Sequence, residues 1–221
     1  MAKNDLETLI RSIVTKELVK HSDNLVPVAL ANRHMHICRE HLDALFGEGY
    51  ELTPYQSLSQ PGQYACKETV DIVGSKGTLY GVRILGPVRK NSQIEVSIGD
   101  TYVLGVTPLV RMSGDLVNCP SVYVIGPRGA TRVECAVIVA ARHIHATPED
   151  ARDLQLTDGQ VVSMRFHGER GIIFDEVTVR INPNSTLEFH LDFEEGNAAG
   201  LHNGDLGEII KDYQQTFCRI V

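Results

Sequence analysis

The sequence contains two copies of a histidine pair with the residue types and spacing of metal ligands. The first copy is His34-Met35-His36 and the second is His143-Ile144-His145, and an arginine precedes each. In an extended strand, residues i and i+2 point to the same face, so each pair presents two imidazoles side by side. Neutral imidazole is a common protein ligand for transition metals. One pair alone would be weak evidence, whereas a pair repeated in the same local context favours two metal sites.

Each pair lies between an apolar run and a short amphipathic segment. The apolar runs cover residues 26–31 and 136–140, and the segments after the pairs begin at Glu40 and Glu149. This pattern predicts a strand leading into each pair and a short helix after it. Thr147-Pro148 is typical of a helix start, because it supplies a cap and a proline at the first helical position.

Most of the remaining sequence is typical of short strands joined by turns. β-branched runs recur, and Gly, Pro, Asn and Asp separate them. The predicted strands cover residues 70–73, 79–85, 93–98, 122–125, 161–166 and 172–181. Turns are predicted at Gly86-Pro87 and Gly99-Asp100. Many short strands with few helices predict a β-barrel or a β-sandwich.

A second repeated segment follows the histidine pair in each half of the sequence. Residues 91–98 parallel residues 184–191, which indicates two related β-domains produced by one duplication. If each histidine pair faces this strand, two candidate ligand sets result. The sets are His143, His145 and His190, and His34, His36 and Glu95. Three protein ligands leave a coordination position open, as in catalytic zinc sites. Taken without the repeat, Glu95 would be a solvated carboxylate and His190 part of a polar loop.

Arg89 is the candidate for binding an anion. It lies in a predicted turn, residues 86–92, that carries two cations just before the strand of Glu95. A guanidinium beside a metal ion is a forked donor for phosphate or carboxylate. A solvated turn cation is the alternative interpretation. Arg33 and Arg142 point to the opposite strand face from the histidines, which favours pairing within the scaffold or between domains.

The composition limits the classes of function. The chain has 221 residues and a formal net charge of −7, which argues against a general nucleic-acid binder because such binding depends on Lys and Arg at phosphates. Five cysteines show no C-x-x-C spacing and no signal peptide is recognisable, so we expect a reduced, cytosolic chain. No apolar run approaches the roughly 20 residues that span a bilayer.

Residues 3–20 are predicted to form an amphipathic helix. The apolar residues that fall on one stripe at i, i+3, i+4, i+7 and i+8 are Leu6, Leu9, Ile10, Ile13 and Val14. This stripe would dock on the protein's own core or on a dimer partner. Alternatively, it would act as a detachable peptide whose apolar face binds another protein.

Together the motifs resemble those of the PduL-type phosphotransacylases (phosphate propanoyltransferases) of bacterial microcompartments. The matching stretches are the two Arg-His-x-His motifs and residues 85–95, 111–115, 140–145 and 190–199. The resemblance implies a mainly β fold of two related β-barrel domains capped by short α-helices, with an N-terminal amphipathic helix. The implied domains are residues 21–32 plus 141–221, and residues 33–140. Residues 1–20 would be an encapsulation peptide.

The resemblance also implies a site and a reaction. Two divalent metal ions, usually zinc, would be held by His34, His36 and Glu95, and by His143, His145 and His190. Arg89 would contact phosphate. The reaction would interconvert acyl-CoA (propanoyl-CoA or acetyl-CoA) plus phosphate with acyl phosphate plus coenzyme A. The residues that hold coenzyme A are not indicated. The two metal ions would lie at a domain junction and face one substrate.

The implied setting is a bacterial microcompartment in the cytoplasm, of the kind that degrades propanediol. Residues 1–20 would bind shell or cargo proteins, and the chain would form a homo-oligomer without nucleic-acid or membrane partners. Two other functions stay open from the residues alone. One is a two-metal hydrolase of a thioester or phosphoester, with water in place of phosphate, and the other is a non-enzymatic metal-binding scaffold protein.

Overall fold

The fold is given by a computed structural model, which describes residues 24–211 and the helical residues 13, 14 and 17. The predicted amphipathic helix over residues 3–20 otherwise lies outside the described residues. The chain divides into two compact units. Within the described residues, unit 1 contains those up to Leu30, Arg142–Leu191, and those from Glu195 onward, and unit 2 contains Ala31–Ala141 and Asp192–Glu194.

Between residues 24 and 211 the chain forms fifteen strands and four helices. The strands are β1 (Leu25–Ala31), β2 (His34–Cys38), β3 (Pro54–Ser57), β4 (Tyr64–Val73), β5 (Thr78–Arg89), β6 (Gln93–Glu95), β7 (Val110–Arg111), β8 (Val122–Ile125), β9 (Ala130–Val133), β10 (Val137–Ala140), β11 (His143–Ala146), β12 (Val161–Phe166), β13 (Ile172–Ile181), β14 (Glu188–Asp192) and β15 (Leu206–Ile210). The helices are α1 (Arg39–Phe46), α2 (Ile98–Leu104), α3 (Pro148–Asp153) and α4 (Phe193–Ala199).

The predicted mainly β architecture is confirmed. In unit 1 the described strands close into a six-stranded barrel with the order β1-β14-β11-β13-β12-β15. In unit 2 the described strands form a curled nine-stranded sheet with the order β7-β10-β6-β2-β5-β4-β8-β9, and β3 pairs with β4. Each sheet has a separate apolar core.

Strand alternation explains why the histidines face a site while their neighbours face a core. Met35 and Ile144, the middle residues of the two His-x-His motifs, are completely buried in the cores of unit 2 and unit 1. Burying such a side chain stabilises the fold by about 1.5–3 kcal/mol. Since side chains i and i+2 lie on the opposite face from i+1, this burial fixes the direction of both imidazoles in each pair.

The two units repeat the same strand pairings around the histidine pairs. β2 runs parallel to β5 and antiparallel to β6, and β11 runs parallel to β13 and antiparallel to β14. His34 lies opposite Glu95, and His143 lies opposite His190. Glu95 is therefore equivalent to His190, an offset of 190 − 95 = 95 residues. The repeated segments in the sequence begin at residues 91 and 184 and imply an offset of 184 − 91 = 93 residues. That offset is wrong by two residues.

Three local predictions from the sequence are wrong. The predicted strand over residues 93–98 ends at Glu95, and Ser97 then caps α2 with a reciprocal capping box to Asp100, so Gly99-Asp100 belongs to a helix rather than a turn. Gly86-Pro87 lies inside β5 rather than in a turn. Residues 193–199, for which no helix was predicted, form α4. In contrast, α3 begins at Pro148 with the predicted capping box from Thr147.

The cysteines in the described residues carry free thiols. These are Cys38, Cys66, Cys119 and Cys135. Every helix that the structure describes is too short or too polar to span a lipid bilayer.

Candidate metal sites

The histidine–glutamate group of unit 2 consists of His34, His36 and Glu95. One ligand atom from each residue lies within 4.8 Å of the others. The pairing of β2 with β6 places Glu95 opposite His34, with Oε2 3.6 Å from Nε2. All three side chains are largely buried. Two imidazoles and a carboxylate at this spacing form a ligand set that suits zinc.

The ring nitrogens of this group favour metal binding over a purely structural role. Nδ1 of His34 donates to the carbonyl oxygen of Asn32 at 2.8 Å, which leaves the lone pair of Nε2 on the side of Glu95. Nδ1 of His36 is buried and makes no hydrogen bond of ordinary geometry among the residues that the structure describes, although the backbone of Leu85 lies beside the ring and raises its pKa. A buried polar atom without a partner is costly, and a metal ion within such a group is one way to satisfy it.

The electrostatics keep His36 neutral. Burial lowers its pKa from 6.5 to about 3, and the neighbouring His34 and Arg89 lower it further, while Glu95 acts in the opposite direction. At neutral pH the ring of His36 is therefore uncharged. An uncharged imidazole is the form that binds a metal ion.

The three-histidine group of unit 1 consists of His143, His145 and His190. Its ligand atoms also lie within 4.8 Å of one another, and the Nε2 atoms of His143 and His145 are 3.1 Å apart. Burial lowers the pKa of His145 from 6.5 to about 3, and His143, His190 and Arg180 lower it further. Three imidazoles at this separation also suit a zinc ion with an open position.

A second layer of contacts holds the third ligand of each group. Gln93 donates from Nε2 to Oε1 of Glu95 at 2.6 Å and to the hydroxyl of Ser113 at 2.8 Å, and it accepts from the amide of Gly114 at 2.7 Å. In unit 1 the equivalent residue is Glu188, whose Oε2 lies 3.0 Å from Nε2 of His190. Such outer contacts fix the direction of a ligand.

The arginine before each pair forms an ion pair at an equivalent position. Arg33 contacts Asp100 at 2.9 Å in unit 2, and Arg142 contacts Glu195 at 2.6 Å in unit 1. Asp100 and Glu195 are again 195 − 100 = 95 residues apart, and both lie in the first turn of a helix that follows the third-ligand strand. We call each pair an arginine clasp. The sequence prediction of pairing within the scaffold is confirmed.

Glu194 takes part in the capping of α2, also within unit 2. Its carboxylate accepts from the hydroxyl of Ser97 at 2.7 Å and from the amide of Gly99 at 3.1 Å. A Cβ atom at residue 99 would meet the carboxylate of Glu194, so a larger residue there would displace that carboxylate.

Arg89 is the last residue of β5 and lies opposite Cys38 of β2, two residues after His36. The prediction that Arg89 sits in a turn is wrong. Its charge nevertheless acts on His36, since it lowers the pKa of that ring. The positive charge of Arg89 therefore acts on the histidine–glutamate group.

A family model for phosphate propanoyltransferase matches residues 27–202. A phosphate propanoyltransferase of Thermotoga maritima is 51% identical over 83% of this chain and 88% of its own length. One from Listeria monocytogenes is 43% identical over 94% of this chain and 97% of its own, and one from Sebaldella termitidis is 43% identical over 96% and 100%. The chain belongs to the phosphate propanoyltransferase family. The resemblance inferred from the sequence motifs is confirmed.

Several residues beside the two ligand groups were not predicted from the sequence. Arg180 lies opposite His145 in the pairing of β11 with β13, but no motif marks it. Gln93, Glu188 and Asp100 were passed over because their roles depend on strand register. Only Asp100 had a local signal, since Ser97-x-x-Asp100 is a helix-capping pattern.

Proposed function

We propose that this protein is a phosphate acyltransferase that interconverts acyl-CoA plus phosphate with acyl phosphate plus coenzyme A. The acyl group would be propanoyl or acetyl. One observation carries the proposal. In this member of the family the six predicted ligands come together in two groups, and the positive charge of Arg89 acts on the group of unit 2. The names of the relatives support the same reaction.

The reaction needs a nucleophile, a leaving group and charge neutralisation. A phosphate oxygen attacks the thioester carbonyl carbon, the C–O bond forms, the C–S bond breaks, and the thiolate leaves as coenzyme A. Phosphate and coenzyme A are both anionic, so positive charge beside the reacting atoms lowers the barrier. We propose that Arg89 binds the phosphate through its forked N–H donors.

We propose that each ligand group holds one divalent ion, and that the ion is zinc. The fit rests on the uncharged rings of His36 and His145, the buried Nδ1 of His36 and the carboxylate of Glu95. When bound, such ions supply Lewis-acid charge for a carbonyl or phosphate oxygen and a soft partner for a thiolate. The side chains of Gln93 and Glu188 would hold the third ligands in place.

An assay with propanoyl-CoA in the presence and absence of phosphate tests the function. We expect thiol release that requires phosphate, equimolar formation of an acyl phosphate trapped by hydroxylamine, and loss of turnover after treatment with a chelator. Thiol release that does not depend on phosphate would support the hydrolase instead. Two bound ions without any turnover would support the scaffold protein.

We propose that the protein acts in the bacterial cytoplasm inside a microcompartment, as a homo-oligomer, with residues 1–20 binding shell or cargo proteins. The support is the motif resemblance and the apolar stripe in residues 3–20. A chain that begins at residue 21 should keep its specific activity and lose co-purification with co-expressed shell proteins. Unchanged co-purification of the shortened chain would contradict the targeting role.

A further inference from the structure

Glu188 stands directly behind one ligand of the three-histidine group. It precedes His190 by two residues on β14, so both side chains lie on the same face of the strand. Oε2 of Glu188 is 3.0 Å from Nε2 of His190, and the two side chains are 13% and 21% exposed. A carboxylate oxygen accepts hydrogen bonds, so at this distance Nε2 of His190 is the donor and carries a proton. Nδ1 then keeps the lone pair.

The equivalent position in unit 2 has the opposite hydrogen-bonding character. Gln93 lies opposite His36 as Glu188 lies opposite His145. The amide of Gln93 donates to the carboxylate of Glu95, whereas the carboxylate of Glu188 accepts from an imidazole. Each outer residue therefore has the hydrogen-bonding role that its neighbour requires. Gln93 donates to the carboxylate of Glu95, and Glu188 accepts from the ring of His190.

This exchange also conserves charge. In unit 2 the carboxylate, Glu95, belongs to the ligand group and the outer residue Gln93 is neutral. In unit 1 the ligand group is all imidazole and the outer residue, Glu188, carries the carboxylate. Each group thus has one carboxylate, which belongs to the ligand group in unit 2 and contacts a member of it in unit 1.

We propose that Glu188 is a positioning residue that holds His190 with its proton on Nε2 and supplies the negative charge that the three-histidine group lacks. A carboxylate behind a ligating imidazole orients the ring and raises its basicity, and removing such a partner commonly costs 10–100-fold in metal affinity. The inference rests on the proposed metal binding and not on the identity of the substrate.

The test compares zinc retention by the full-length protein and four variants. Zinc-loaded wild type, E188Q, E188D, H190A and E169Q are dialysed against increasing concentrations of a chromophoric chelator, and the remaining zinc is counted. Glu169 is an exposed acid of the same unit and serves as the matched control. We expect E188Q to release one of its two ions at a chelator concentration roughly 10–100-fold lower than wild type does. E188D keeps the charge, so it should release the ion at a chelator concentration between those of E188Q and wild type. E169Q should match wild type.

A spectroscopic readout separates positioning from general loss of structure. Two-bond ¹H–¹⁵N spectra of the zinc-loaded protein report which ring nitrogen carries the proton, and H190A identifies the signal. We expect Nε2–H on His190 in wild type. A proton on Nδ1 in wild type, or wild-type zinc retention by E188Q, would overturn the proposal.

The proposed function can fail separately. Both readouts are made without substrate, so absence of phosphate-dependent turnover in a protein that shows these zinc and tautomer effects would contradict the acyltransferase assignment alone. A wild-type protein that binds no zinc would overturn the role of Glu188 together with the metal sites.

Discussion

At the scale of single residues, the sequence was informative where the strand period alone decides the geometry. Two imidazoles at i and i+2 must share a face, and the burial of Met35 and Ile144 shows which face is the core. The choice of Glu95 and His190 as third ligands needed the opposing strand as well. The choice of Arg89 over neighbouring cations depended mainly on the motif resemblance, and its place at the end of β5 differs from the predicted turn.

Replacing Arg89 tests its proposed contact with phosphate. We expect R89A to raise the KM for phosphate at least tenfold and to lower kcat/KM for phosphate by 10²–10³, because a charged hydrogen bond to an anion contributes about 1.5–3 kcal/mol and the loss of transition-state charge adds to it. The KM for propanoyl-CoA should change much less. Steady-state kinetics with each substrate varied in turn provide the measurement.

Two variants make the Arg89 result specific. R89K keeps the charge but not the fork, so it should recover only part of the activity. Lys90 is the exposed neighbouring cation, and K90A should retain the wild-type KM for phosphate. Equal effects of R89A and K90A would mean that only the general positive charge of this segment matters.

At the scale of secondary-structure elements, the strand register could not be predicted from the sequence. Residues 91–98 resemble residues 184–191, and that likeness predicted an offset of 93, but the pairing of β6 and β14 with the histidine strands gives 95. A shift of two residues keeps each side chain on its face, which explains why the predicted residues still come together in two groups in spite of the wrong alignment. Helix α2 had a capping signal in Ser97 and Asp100, and Asp192 with Glu195 forms the equivalent pattern at the start of α4.

The arginine clasps are expected to stabilise the two units unequally. Arg142 contacts Glu195, donates to the carbonyl oxygen of Asp175 at 2.8 Å and lies 5.1 Å above the ring of Phe174. Arg33 contacts only the buried Asp100 among the pairs described, and 43% of its side chain is exposed. We expect R142A to lower the free energy of unfolding by about 2–3 kcal/mol and R33A by about 1 kcal/mol, after allowance for solvent screening.

Urea unfolding of the metal-free protein measures both clasps without interference from bound ions. Arg152, an exposed residue of α3 in unit 1, provides the matched control, and R152A should change the free energy of unfolding by less than about 0.5 kcal/mol. A larger loss for R33A than for R142A would show that the extra contacts of Arg142 contribute nothing to stability.

At the scale of the whole molecule, the duplication is the main constraint. One arrangement of strands is used twice, with the same clasp position and with helices that end at glycines of similar backbone angle, Gly105 at φ +68° and Gly200 at φ +67°. The two groups differ in their third residue, which has a carboxylate in unit 2 and an imidazole in unit 1. The strand scaffold is common to the two units and the ligand groups differ, so each group should be separable by mutation.

This separability predicts the metal content of single and double variants. H36A removes a ligand of unit 2 and H145A removes one of unit 1, so each should bind one zinc ion where wild type binds two, and the double variant should bind none. An ion present at 100 times its dissociation constant stabilises the folded state by about 2.7 kcal/mol. For a chain of this length that corresponds to a loss of roughly 5–10 °C in Tm for each ion removed.

Metal analysis and thermal melts, with and without a chelator, check the prediction. The control is H202A, because 87% of the side chain of His202 is exposed and the residue belongs to neither group. H202A should keep both ions and the wild-type response to chelator. The chelator should lower the Tm of wild type by more than that of H36A or H145A, and should leave the double variant unchanged, because a protein without ions has none to lose. If H36A also lost the ion of unit 1, the two groups would be coupled rather than separable, and the outer residues Gln93 and Glu188 could not act on their own ligand groups alone.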